Sequence, residues 1–181
     1  MNDEETSLFL KTKQRVSNLR GAILDNCILL EQILEMYIAL YFVPNDSERA
    51  YQLFEILLST NRVSFESKKQ VFCIIIERDN NAFYKSHPTL SKDLSYIIEQ
   101  RNIFAHYAAD LNNVDSEVLV FIKHKNSTEE VEFNKNKILD LHEKLQKYIV
   151  EISRILKEKE ISLGISTPPS GFYASADSKP S

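Results

Sequence analysis

The run Arg101-Asn102-Ile103-Phe104-Ala105-His106 places within one and a half helical turns three side-chain types that suit phosphate chemistry. A guanidinium stays protonated and grips phosphate oxygens with a planar fork of donors. An imidazole titrates near ~6.5, so it can take or give a proton at neutral pH. A carboxamide can orient either one. On a helix turning about 100° per residue, Leu90, Leu94, Ile97, Ile98, Ala105 and Ala108 share one face, with Arg101 in the middle of that apolar stripe. A guanidinium there needs something opposite it: a carboxylate, a second subunit or a phosphate. Beside it runs a polar stripe, Ser95, Glu99, Asn102 and His106, stepping by four, three and four. Asn102 and His106, at i and i+4, are direct neighbours. Arg101 and His106 lie about 140° apart, but the arginine is long enough to curl towards the polar stripe. An anion at the boundary could then touch Arg101, Asn102 and His106 together. Singly, each residue has an ordinary structural use, the arginine in an ion pair and the histidine at a helix end. Their combination points to a site.

Other constellations carry less. There is no Gly-rich phosphate loop and no visible Ser/His/Asp arrangement. His87, His124 and His142 are scattered without metal-ligand spacing, so neither metal nor cofactor is expected. Lys68-Lys69 and Lys123-His124-Lys125 read as solvated surface, the second bordering a turn from which it could reach a phosphate. Cys27 and Cys73 sit inside apolar helical runs, which suits buried free thiols and a reducing compartment better than a disulfide framework.

The whole chain sets the frame for these residues. At 181 residues, 43% hydrophobic and 27% charged, it fits one globular domain with a real core. Only 3 Gly and 5 Pro leave few turns and favour long helices. A net charge of −4 argues against a broad basic face of the kind a dedicated DNA binder carries, so any RNA contact must be local. The acidic start, Met1 to Glu5, lacks a signal-peptide pattern. The apolar run Ile28 to Val43 is interrupted by Glu31, Gln32 and Glu35 and is too short and charged to span a bilayer. The expected setting is cytoplasmic, with no membrane partner.

Periodicity then gives a mainly α fold: a bundle of about five helices with one small β-hairpin before the last. The first helix is expected from about Ser7 to Phe42, on a stripe running from Val16 and Leu19 to Leu40 and Tyr41, with Gly21 a candidate bend and Pro44 closing it. Asn45 to Glu48 offer caps for a second helix, about Glu48 to Leu58. Ser64 caps a third, about Phe65 to Arg78. Its run Val71 to Ile76 would also suit a buried strand, but Glu66, Lys68, Lys69 and Gln70 lead into it as a helix. Pro88 suits the first turn of a fourth helix, about Thr89 to Ala108, which carries the motif. Glu117 to Lys123 and Glu130 to Phe133 form the hairpin. In the last helix, Ile138, Leu141, Leu145, Tyr148, Ile152 and Ile155 step by three and four, as in bundle packing. Residues 1–163 make the domain. The Ser/Pro-rich tail 164–181 reads as disordered.

The Arg101-Asn102-x-x-x-His106 motif on a late helix of such a bundle resembles the HEPN family (higher eukaryotes and prokaryotes nucleotide-binding). The signature of that family is an arginine, commonly followed by a polar residue, then a histidine after four to six others. The likeness covers the pattern of elements from Ser7 to Glu160. It implies a homodimer in which motif helices face each other across one composite cleft, and metal-independent RNA cleavage by the substrate's own 2′-hydroxyl. Arg101, Asn102 and His106 would be catalytic: His106 as base or acid, Arg101 stabilising the phosphorane, Asn102 orienting. Ser95, Glu99 and Tyr107 would support them. It also implies a toxin or defence effector held by an antitoxin or regulatory protein. Some toxins of this kind carry Tyr two residues after the histidine. Here the order is His106-Tyr107-Ala108, so modification at that position does not carry over. The alternative is a non-catalytic bundle that binds a nucleotide or a protein partner.

Overall fold

The computed structural model describes residues 3–60, 62–111, 118–125 and 127–165. In chain order the described elements are α1 (Asp3–Phe42), α2 (Ser47–Leu53), a π-helical turn (Phe54–Leu58), α3 (Phe65–Asp79), α4 (Asn81–Ser86), α5 (Leu90–His106), β1 (Ala108–Ala109), β2 (Leu119–Lys125), β3 (Ser127–Phe133) and α6 (Lys135–Ser162). The mainly α class and the β element before the last helix follow the sequence reading. Among the described residues there are six α-helices rather than about five, and the hairpin gains a short third strand. The expected disorder of the tail falls almost wholly on residues 166–181, outside the described ones.

Local chemistry sets most boundaries. Asp46 caps α2 by accepting from the Arg49 amide at 3.0 Å. Ser64 caps α3 by accepting from the Ser67 amide at 3.1 Å. Asn80 and Asn134 do the same for α4 and α6. α5 differs from expectation: its N-cap is Thr89, so Pro88 lies before the helix rather than in its first turn. α6 ends in a Schellman turn. Gly164 adopts φ 69°, its amide bonds Ile161 O at 3.0 Å, and the Ile165 amide bonds Glu160 O at 3.0 Å. α1 runs through Gly21 as one 40-residue helix.

α1 and α6 form the spine. They run parallel: Arg15 and Lys135 line one groove at their starts, while the Lys159 ammonium sits 5.3 Å from the Tyr37 ring near their ends. The stripe of α6 expected from its spacing is buried at Leu141, Leu145, Tyr148, Ile152 and Ile155. α5 packs across this pair. Phe104, Phe121 and Phe133 meet with ring centroids 4.7–5.5 Å apart and fasten the sheet beneath the end of α5. In the sheet Phe121 pairs with Val131 and Leu119 with Phe133, while Ala108 pairs with Ile122.

Candidate functional site

α5 buries Leu90, Leu94, Ile97 and Ile98, as its periodicity requires, together with Gln100, Ile103 and Phe104. It stops two residues earlier than expected. Tyr107 turns extended and its carbonyl accepts from Arg20 Nη2 at 2.8 Å, so Ala108 belongs to β1 and not to the helix face. The Arg20 guanidinium also lies 5.4 Å from the Phe121 ring, which ties α1 to the sheet where the motif ends.

 

Arg101 points where its helical angle places it, towards the interior, but the interior is open there. It is half-buried beside a cleft of about 420 Å³ walled by α1 (Ile28, Glu31, Glu35), by Ser59, Thr60 and the stretch from Val63 to Glu66, and by Ile98 and Asn102 of α5. Its Nη1 donates to Asn102 Oδ1 at 3.1 Å. None of the ion pairs among the described residues includes Arg101. Its charge is nevertheless felt inside α1. Burial pushes the Cys27 thiol up to about 12, and the Arg101 guanidinium pulls the other way.

Part of the cleft wall is a buried charge cluster. Lys68 Nζ donates to Glu31 Oε1 at 2.6 Å and to Glu35 Oε1 at 2.5 Å. Lys68 is 3% exposed and Glu35 2%. Burial pushes the Glu35 carboxyl above the usual carboxylate range, opposed by the hydrogen bond and charge of Lys68. Glu35 Oε2 is buried without a partner among the described residues. Neighbouring Lys69, 6% exposed, donates to Glu66 Oε1 at 2.6 Å and to Ser95 Oγ at 2.7 Å. Lys68-Lys69 is therefore not solvated surface. Two carboxylates on α1 and one on α3 draw both ammonium groups inward.

The remaining site residues separate. Ser95 is occupied by Lys69 and by its own bond to Ser91 O at 3.0 Å. Glu99 and Tyr107 line a second groove of about 520 Å³ between α5 and β3, shared with Tyr96, Glu129 and Lys137. Asn102 stands on the ridge and lines both hollows. His106 is exposed and lines neither. The arginine curls to Asn102, not to His106. Within one protomer, then, Arg101 and Asn102 share a cleft and His106 stands outside it.

No family model matches the chain, and neither the curated proteins nor the solved structures hold a significant match. The site has to be read from its own chemistry. A cleft edged by an arginine with no carboxylate partner among the described residues, and with a carboxamide at its side, can hold an anion. The carboxylates on the opposite wall favour hydrogen-bond donors. Among the described residues, no group of three or more His, Cys, Asp or Glu is placed to hold a metal ion. No described helix is long and apolar enough to cross a membrane. Cys73 is half-buried and Cys27 buried, both as free thiols. Lys123 is partly exposed and pairs with Glu129 at 3.2 Å.

The sequence reading passes over Glu31, Glu35, Glu66 and the buried role of Lys68. A signal is there: Glu31 and Glu35 stand one turn apart inside an apolar run, and a carboxylate drawn into a core needs a cation.

Proposed function

We propose that the protein is a metal-independent endoribonuclease of the HEPN type, acting as a homodimer with a composite site. The observation that carries this reading is the half-buried Arg101, open to a cleft and without a carboxylate partner among the described residues. A partly buried guanidinium is usually ion-paired. Arg101 is instead braced by Asn102 with donors to spare for a phosphate.

His106 lies outside the cleft of its own Arg101, so on this reading a second protomer supplies the imidazole. The RNA 2′-oxygen attacks the adjacent phosphorus while the partner's His106 takes its proton. Arg101 stabilises the charge on the phosphorane. The P–O5′ bond then breaks, and the imidazolium so formed returns its proton to the leaving oxygen. Products are a 2′,3′-cyclic phosphate and a 5′-hydroxyl. A toxin or defence role under a restraining protein follows from the family resemblance alone.

The test is cleavage of single-stranded RNA by wild type, Arg101→Ala and His106→Ala, with EDTA present. Wild type should cut and both variants should not, with Asn102→Ala milder. Activity that needs a metal, or that survives His106→Ala, contradicts this mechanism. The second reading, a non-cleaving bundle that binds a nucleotide or a protein partner, draws on the carboxylates that line the same cleft as Arg101. A folded wild-type dimer that cuts no RNA would favour it.

A further inference from the structure

The nuclease reading uses the Arg101 cleft and leaves the groove on the other side of Asn102 unexplained. That groove, about 520 Å³ between α5 and β3, has Gln100 in its wall. Gln100 is 8% exposed, and its carboxamide has no hydrogen-bond partner among the described residues. Among the described residues, the side-chain atoms both unpartnered and sealed from solvent are Arg20 Nε and Glu35 Oε2. The Gln100 amide is not one of them, so it is reached from the groove. The half-buried Tyr96 and Tyr107 and the buried Ile103 and Phe133 line the same hollow. A carboxamide held this deep with no protein partner, in an otherwise aromatic and aliphatic wall, is a polar group placed for a ligand.

We infer that this groove is a nucleobase subsite, in which Gln100 bonds the edge of the base next to the phosphate held by Arg101 and Asn102. The inference rests on the RNA reading of the cleft. Asn102 lines both hollows, so the base site and the phosphate site meet at one side chain. A carboxamide sets a donor beside an acceptor. Each RNA base carries a matching pair on its pairing edge: the N6 amine and N1 in adenine, the N4 amine and N3 in cytosine, N1–H and O6 in guanine, N3–H and O4 in uracil. Gln100 therefore recognises a base as such and does not choose among them. The two tyrosines offer ring surface for stacking, the contact that holds unpaired bases without sequence preference. Glu99, Glu129 and Glu132 line the groove against one lysine, Lys137. Their charges keep phosphate on the Arg101 side and leave the groove to a neutral group.

The test is calorimetric titration of the full chain with AMP and with ribose 5-phosphate, which is AMP without its base, so the comparison needs no mutation. AMP should bind at least about fivefold tighter, the low end of what stacking one base contributes. Gln100→Met keeps the length of the side chain and removes its amide. It should weaken AMP about two- to tenfold, the usual effect of one hydrogen bond, and leave ribose 5-phosphate unchanged. Its Tm should not fall, because the folded chain loses no hydrogen bond. Arg101→Ala should weaken both ligands alike, since each carries the phosphate. In heteronuclear NMR of the isotope-labelled chain, the side-chain amide signal that Gln100→Met lacks should shift with AMP and stay still with ribose 5-phosphate. Equal affinity for the two ligands, no binding of AMP, or a Gln100 amide unmoved at saturating AMP overturns the base subsite. Cleavage assays separate the two ideas. RNA cut by Gln100→Met as efficiently as by wild type keeps the nuclease and removes the subsite, and a preference for AMP in a chain that cuts nothing does the reverse.

Discussion

Replacing Lys68 by Met keeps nearly the length and apolar body of the side chain and removes only its ammonium. In the native fold Lys68 is 3% exposed and its ammonium holds two carboxylates, one of which belongs to Glu35, itself 2% exposed. Without it Glu35 has neither water nor a counter-ion. Breaking a buried pair from one side costs about 3–5 kcal/mol, because the remaining charge is uncompensated. For a chain of this length each kcal/mol lowers Tm by roughly 2–4 °C, so Lys68→Met should lower it by about 6–20 °C. The penalty should depend on pH in a definite direction. Burial already raises the Glu35 carboxyl, and losing Lys68 raises it further. The folded variant then prefers the neutral acid. Its penalty is absent below the unfolded carboxyl value, near ~4.3, and grows as pH rises from there to the raised folded value. Urea unfolding followed by circular dichroism at neutral and mildly acidic pH measures this. The double variant Lys68→Met/Glu35→Gln should regain most of the loss at neutral pH. A Lys68→Met protein within about 1 kcal/mol of wild type at neutral pH would refute the buried-charge argument, since that is the range of an exposed pair.

Two further perturbations test what positions the site. The buried Tyr148 hydroxyl donates to Asp93 Oδ2 at 2.7 Å, and the Asp93 carboxyl is lowered because this bond and that from Thr89, with two lysine charges, outweigh its desolvation. Tyr148→Phe should cost about 1–2 kcal/mol, present above the unfolded aspartate value and fading as pH falls through the lowered one, measured by urea unfolding. Arg20→Ala removes the bond to Tyr107 O and the contact with the Phe121 ring. It should cost a similar amount, about 1–2 kcal/mol, and speed hydrogen exchange at Ala108 and Ala109 before it affects the core of α6.

The parts of this fold legible in the sequence are those decided within a few residues. The stepping of Leu141, Leu145, Tyr148 and Ile152, the cap at Ser64 and the break before Pro44 each depend on local spacing or local hydrogen bonds. What was hidden depends on distant partners. α4 has six residues and no periodicity to show. β1 is two alanines that become a strand only because β2 lies beside them. Lys68 looks like a surface lysine until α1 brings Glu31 and Glu35 to it from 37 and 33 positions away. The site itself was half legible. The angle between Arg101 and His106 already sets them on different sides of α5, and the structure leaves them there.

That separation gives the most direct test of the composite site. Arg101→Ala and His106→Ala proteins should each fold, since neither residue enters an ion pair among the described residues, and each should be inactive on RNA alone. Mixed in equal amounts and allowed to exchange subunits, half the dimers are mixed, and each of these has one intact Arg101–His106 pair across the interface. Cleavage should return to about a quarter of the wild-type rate. A mixture as inactive as its components would contradict a site shared between two protomers.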